Sequence, residues 1–374
     1  MDREPEQRRS EQRQSDRRES EQRRTDRREP DRRESGRRES DRRELERRES
    51  SGKRHGRFAA VIIAGAAVLA VAGLGYAADA ASAKATAEAD DSNTVTWQGK
   101  NYKYNQNLSN YLLLGVDKRT PAETRVGKAD AGQADALFLL SLNRKTKEMT
   151  LISIPRDTMT DVESFDLEGK SLGKSKDHIS LSYGYGDGGA ESCKLTQEAV
   201  SNLFYGLPIQ GYLAMNLDGI PELAKSVGGL TVTVPNNSLE YKYPEFSEGA
   251  EVTLTEENTE IFVRSRDVDE SQSAIYRMER QKAFLDAFSK RAKECYEQNA
   301  KFAADLFVAI KPYTVTNISE DRLMKLFQTA DEGDGYTEWT VPGEGTQGLS
   351  YDEYHVDDDA LYAKIMETFY QEVK

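Results

Sequence analysis

Apolar and polar positions divide this chain into runs too regular for a coil. The run 111–116 is apolar throughout and stops at Asp117. Runs 136–142 and 149–154 flank a polar connector, 143–148, and predict an antiparallel pair of strands. Strands apolar on both faces must be covered on both faces, so the pattern predicts helices on either side of a central sheet. The segments 94–97 and 101–104, joined through Gly99, read as a short hairpin, and 212–217 and 231–234 as further strands. Helical spacing covers 191–205 through Leu195, Ala199, Val200, Leu203 and Phe204, ending at Gly206 and Pro208. A short helix over 220–227 stops at Gly228-Gly229, and Thr255 is placed to cap a helix running to Arg264. A long helix over about 273–299 would turn Ile275, Phe284, Leu285 and Phe288 inward. A strand near Trp339 and a helix over 357–370 complete an α/β body spanning 95–374.

The N-terminal part is different in kind. The first fifty of residues 1–57 repeat every five residues around paired arginines, as in Asp16-Arg17-Arg18-Glu19-Ser20 and Asp31-Arg32-Arg33-Glu34-Ser35. Five residues advance a helix by about 140° beyond one turn, so no face accumulates. With almost nothing apolar to bury, the segment is expected to be a disordered charged tail. Residues 58–78 are uncharged and, as a helix, about 31 Å long, enough to span a bilayer core. Basic residues precede them and Asp79, Glu88, Asp90 and Asp91 follow, which places the N-terminus in the cytoplasm and the body outside the cell. The apolar stretch exceeds a signal-peptide core, so an uncleaved single-pass anchor in the cell membrane is expected, with 79–94 as a linker.

Charge and cysteines narrow the class. The chain has 374 residues and a formal net charge of −13, although the tail carries a basic excess. The acidic body argues against nucleic-acid binding. Two cysteines and three histidines make neither a disulfide framework nor an obvious zinc site. Outside the cell Cys193 and Cys295 could pair, or could be two separately buried thiols.

Candidate chemistry collects at the ends of apolar runs. One leads to Asp117, and another through Pro155 to Arg156-Asp157, the place where open α/β sheets gather ligands. Arg264 and Arg266 are followed by Arg277, Arg280 and Gln281, with Arg277 and Gln281 one helical turn apart. Guanidiniums grouped with an amide suit a phosphate or pyrophosphate. A salt-bridged solvated helix is the competing reading. Asp117 and Asp135 are hard oxygen donors of the kind Mg²⁺ takes beside a pyrophosphate.

Taken together, the segments 112–119, 133–136, 153–158 and 227–232, and the stretch from Arg264-Ser265-Arg266 to Arg277-Met278-Glu279-Arg280-Gln281, resemble the LytR-CpsA-Psr family of cell-wall phosphotransferases. The resemblance covers roughly 108–290, in order. It implies an α/β/α three-layer sandwich around a mixed sheet, with an apolar tunnel for a polyprenyl chain. It also implies transfer of a glycopolymer from an undecaprenyl-pyrophosphate carrier onto a peptidoglycan hydroxyl, leaving a phosphodiester. By position, Asp117 and Asp135 match the acidic pair linked to Mg²⁺, and Arg156 the strand-end arginine, as the catalytic set. Arg119, Arg264, Arg266, Arg277 and Gln281 match the pyrophosphate-binding residues. The chain departs from the family pattern at Gln133-Ala134, where Arg-Ser is common, at His178-Ile179-Ser180 in place of Lys-Ile-Asn, and in a longer loop between Arg266 and Arg277. Alternatives are a non-catalytic wall-associated binding or regulatory protein, which the missing arginine favours, and a polyprenyl-pyrophosphate hydrolase.

Overall fold

The computed structural model describes residues 94–373, apart from 120–125, 128–129, 167, 320–321 and 323–335. The expected tail, membrane helix and nearly all of the linker lie outside the described residues. Among the described residues no helix is long and apolar enough to cross a membrane.

In chain order the strands are β1 (Thr94–Trp97), β2 (Lys100–Tyr104), β3 (Leu108–Val116), β4 (Ala134–Asn143), β5 (Met149–Ile154), β6 (Met159–Phe165), β7 (Ser171–His178), β8 (Gly211–Asn216), β9 (Leu230–Thr233), β10 (Glu251–Leu254), β11 (Thr314–Thr316), β12 (Tyr336–Thr340), β13 (Gly343–Gln347), β14 (Asp352–Val356) and β15 (Tyr370–Glu372). The helices are α1 (Leu181–Gly184), α2 (Ala190–Leu203), α3 (Gly219–Ser226), α4 (Thr259–Arg264), α5 (Ser273–Gln298), α6 (Phe302–Ile310) and α7 (Asp358–Phe369).

Six strands form the central sheet in the order β11-β8-β3-β4-β5-β12. The β4–β5 pair is antiparallel, as the connector 143–148 predicts; β3–β4 is antiparallel too, whereas β3–β8 and β5–β12 are parallel, so the sheet is mixed. Alternation along β3 assigns the two faces. Tyr111 and Leu113 join a core with α3, α5 and α6, and Leu112 and Leu114 join a second core with α2 and α7. This is the layered α/β arrangement expected from strands apolar on both sides.

The pairing of β3 with β4 is interrupted at one point that matters for the site. Gly115 opposes Ala136 and Val116 opposes Ala134, so Asp135 is the extra residue of a bulge. A Cβ on Gly115 would lie 3.0 Å from the Ala136 Cβ, a tight contact that the glycine avoids.

Several expectations are corrected. The helix near Thr255 begins at Thr259, after Asn258; the Thr255 carbonyl accepts from the Thr259 amide, and its hydroxyl caps nothing in that helix. On α5, Phe284 and Phe288 are buried, but Ile275 is half-buried in a groove beside β13, and the inward positions nearest the sheet end are Arg277 and Arg280. The strand expected at 231–234 is present as β9, paired with β10 in a separate two-stranded sheet. The hairpins β6–β7 and β13–β14 are largely polar and lie outside the expected elements, as does helix α6, although its Phe302, Ala303, Leu306, Phe307 and Ile310 are buried at helical spacing. Cys193 on α2 and Cys295 on α5 belong to opposite faces of the sheet, and both are free.

Leu139 is fully buried at the centre of β4. Leu139→Ala is expected to lower stability by about 2–5 kcal/mol, read from urea unfolding followed by tryptophan fluorescence. A loss under about 1 kcal/mol would mean the sheet is not the core described.

Candidate active site

The site is built where β3, β4 and β5 end. Asp117 follows β3, and its Oδ1 accepts the backbone N–H of Gln133 at 2.6 Å. Asp135, carried out of register by the bulge, accepts from two guanidiniums. Its Oδ1 pairs with Arg156 Nη1, and its Oδ2 lies 2.8 Å from Arg277 Nη1. Arg156 follows β5 and is fixed on two further edges, by Asp157 Oδ1 at 3.1 Å from Nε and by the Gln133 side-chain oxygen at Nη2. At the family departure, therefore, Gln133 supplies an acceptor that orients Arg156.

Arg277 reaches this group from the first turns of α5. It is 4% exposed, and Asp135 satisfies one corner of its guanidinium. Nε and Nη2 have no hydrogen-bond partner. These two atoms form the side-on edge of a guanidinium, the edge that grips two oxygens of a carboxylate or phosphate. Burial pushes the Arg277 pKa down, Asp135 opposes that, and the cations Arg156 and Arg266 push it down further. An anion placed on the unpaired edge would relieve both the desolvation and the crowding of positive charge.

Arg280, fully buried one turn along α5, holds the frame. Its Nε donates to the Phe262 carbonyl at 2.8 Å, Nη2 to the Ser265 carbonyl and Nη1 to Ser238 Oγ. It thereby pins the end of α4 and the start of the loop bearing Arg266. Burial lowers its pKa to about 10, which leaves it charged at neutral pH. Gln281 donates to the Val263 carbonyl at 3.2 Å, tying the same helix end. A second tie comes from the C-terminal hairpin. Asp352 Oδ1 accepts from Ser271 Oγ at 3.0 Å and Oδ2 from the Gln272 N–H, and Tyr354 N donates to the Asp157 carbonyl at 2.8 Å. Gln272 has φ 61°, and its side chain occupies the space a Cβ on Gly345 would take. The β13–β14 hairpin thus joins the two loops that carry Arg156 and Arg266.

Two adjoining cavities meet at these residues. The larger, about 1240 Å³, is polar and includes Asp117, Asp135, Arg156, Arg264, Arg266 and Arg277 in its wall. The smaller, about 130 Å³, lies between the sheet and helices α3, α4 and α5 and is walled by side chains such as Leu114, Phe138, Met215, Leu223 and Phe284. Asp117, Asp135, Arg264 and Arg277 border both, and Gln281 borders the apolar one. Arg119 is not in either wall. It is half-exposed and paired with Asp218 at 2.8 Å and Glu260 at 2.7 Å, one ion pair from the rim. Arg264 is bonded to that same Glu260 at 3.3 Å, and Arg266 to Ser273 Oγ at 3.1 Å.

Among the described residues no three His, Cys, Asp or Glu side chains gather as a metal cage. Both oxygens of Asp135 are engaged by arginines. Sequence reasoning overlooked Gln133 and Asp157 as partners of Arg156, and Asp352 as the tie to the loop before α5. Asp157 was legible in the Arg-Asp pair that ends β5, whereas nothing local marks Asp352.

Arg280→Met is expected to cost about 3 kcal/mol or more, because it strips several buried acceptors of their donor, while half-exposed Arg264→Ala should cost less than about 1 kcal/mol. Thermal unfolding of the two variants compares them, and equal losses would refute the framing role given to Arg280.

The family model described as the LytR_cpsA_psr family matches residues 71–368. The polyisoprenyl-teichoic acid–peptidoglycan teichoic acid transferase TagU of Bacillus licheniformis is 28% identical over 255 residues, covering 67% of this chain and 73% of that protein. TagU of Bacillus subtilis is 27% identical over 256 residues, again covering 67% and 73%. The crystal structure of B. subtilis TagV superposes with a TM-score of 0.53 at 22% identity, over 70% of this chain and 96% of that one, which speaks to the fold. With strand-end acids and the arginine-bearing helix inside so long a match, the chain belongs to the LytR_cpsA_psr family.

Proposed function

We propose that this protein is a membrane-tethered phosphotransferase of the cell surface that moves a glycopolymer from a polyprenyl-pyrophosphate carrier to a hydroxyl of peptidoglycan. The supporting observation is the buried Arg277, with its side-on edge unpaired at the junction of a polar and an apolar cavity. Such a junction fits a ligand with a doubly anionic head and a hydrocarbon tail. The names of the TagU relatives, which join a polyisoprenyl-linked polymer to peptidoglycan, agree with that reading.

The residues divide the work. Arg156, Arg266 and Arg277 neutralise non-bridging phosphate oxygens, which is most of what phosphoryl transfer asks of a protein. The acceptor oxygen bonds to the sugar-side phosphorus, the bridge between the two phosphates breaks, and polyprenyl phosphate leaves. The acceptor proton passes to a carboxylate. Asp117 is the better placed for this role, since both oxygens of Asp135 hold arginines. Mg²⁺ commonly binds through one or two carboxylates plus substrate phosphates. Each Asp135 oxygen keeps a second lone pair beyond its arginine bond, so Asp135 and Asp117, both in the wall of the polar cavity, would hold it on those terms. When bound it supplies further neutralisation of phosphate charge.

The apolar cavity is close to the size of one that takes a benzene ring and smaller than usual ligand pockets of about 300–1,000 Å³. It admits the first carbons of a prenyl tail. A longer chain requires α4 and α5 to part from the sheet. The loss of an arginine at Gln133 does not favour a non-catalytic protein, because Gln133 is bonded into the same cluster and orients Arg156.

Protein in detergent, given a polyprenyl-pyrophosphate-linked polymer and peptidoglycan, is expected to form a phosphodiester-linked product. Arg156→Ala should lower the rate by about 10²-fold or more without changing the melting temperature by more than a few degrees. Full activity in that variant would sink the proposal, as would release of free polymer at the same rate with and without peptidoglycan.

A further inference from the structure

The polar cavity is far larger than a diphosphate needs, and its outer part has a different character from its arginine floor. There the wall is formed by the tip of the β13–β14 hairpin and the loop before α5, with Tyr351, Leu349 and Val268 beside the carboxylates of Asp269 and Glu270. Single exposed apolar side chains are ordinary. Here three of them, exposed by 73% (Val268), 107% (Leu349) and 76% (Tyr351), border one cavity.

Tyr351 is also held in place. Its ring meets the edge of His178 at 90° with centroids 6.4 Å apart. The next residue, Asp352, is bonded through its carboxylate to Ser271 and Gln272 and through its carbonyl to His178 Nε2 at 2.8 Å. An exposed aromatic face that shares a cavity wall with carboxylates is matched to a sugar. The C–H face of a pyranose lies on the negative face of the ring, while its hydroxyls donate to the carboxylates. A platform fixed in advance loses little entropy on binding.

We infer that this outer lobe is a glycan subsite, centred on Tyr351, that takes uncharged N-acetylhexosamine units. Charge selects among sugars. Asp269, Glu270 and Asp352 repel a phosphate-bearing polymer, so the lobe suits the neutral acceptor glycan and not an anionic donor chain. This deepens the transferase reading and rests on it for the word acceptor; the sugar contact itself is testable apart from any reaction.

The test is calorimetric titration of the full-length protein in detergent with an N-acetylglucosamine oligomer, with poly(glycerol phosphate), and with inorganic pyrophosphate. The wild type should bind the neutral oligomer and not the anionic polymer. Tyr351→Ala should weaken oligomer binding by about tenfold or more, Tyr351→Trp should keep it within about threefold, and pyrophosphate binding should stay within about twofold in both. In the transfer reaction, Tyr351→Ala should raise the acceptor KM by a similar factor with little change in kcat. The subsite is refuted if the wild type ignores the oligomer, if Tyr351→Ala binds it as well as wild type, or if the anionic polymer binds in its place. Absence of pyrophosphate binding by the wild type would instead overturn the transferase reading and leave a measured sugar contact standing.

Discussion

The arrangement depends on one carboxylate shared by two guanidiniums. Asp135 is thrown out of the sheet by a bulge opposite Gly115, and it holds Arg156 on one oxygen and Arg277 on the other. Removing Asp135 would leave two guanidiniums facing each other without their shared carboxylate in a poorly solvated place. The compensation is incomplete by design of the geometry, because Asp135 can reach only one corner of Arg277. An anion on that edge would stabilise the rest of the buried guanidinium, so on the proposed reading ligand binding would complete the site.

The scaffold around this group sets a polar cavity beside an apolar one, the setting that the proposed amphiphilic carrier would need. Alternation along β3 and β4 sends one face of the sheet to the core under α3, α5 and α6, and the apolar cavity is an unfilled part of that core. The bulge residues Gly115, Val116, Asp135 and Ala136 border it. Helix α5 therefore serves two environments along its length, arginines near the strand ends and phenylalanines deeper in. Arg280 and Gln281 tie α5 to the end of α4, and the β13–β14 hairpin ties the loops on the opposite side. The polar residues are thus held by elements remote in sequence, which lets a single pocket draw on residues from 117 to 352.

What could be read from the sequence followed from patterns with a local cause. The apolar runs that become β3, β4, β5 and β8 were legible because strands covered on both faces leave a continuous signature. Their charged ends, Asp117 and Arg156, were legible for the same reason, since an apolar run stops where the site begins. The inward turn of Arg277 was not, because an apolar-period argument reads arginine as solvent-facing, and the bulge that re-aims Asp135 depends on pairing with a strand elsewhere. Arg119 looked equivalent to the other arginines in the motif, yet nearby Asp218 and Glu260 hold it away from the cavity. The β13–β14 hairpin is polar and exposed along most of β13, so nothing in its sequence announced that it braces the site.

The central claim is that one site binds an anionic head and an apolar tail together through Arg277. The most direct measurement is calorimetric titration with a short-chain prenyl pyrophosphate, the matching prenyl alcohol and inorganic pyrophosphate, on the wild type and on Arg277→Lys, which keeps the charge but lacks the side-on fork. The account predicts that the prenyl pyrophosphate binds more tightly than either part, and that Arg277→Lys loses most of that advantage. If pyrophosphate alone binds as well as the prenyl compound, or if Arg277→Lys binds all three as the wild type does, head and tail are not read by this site and the account fails.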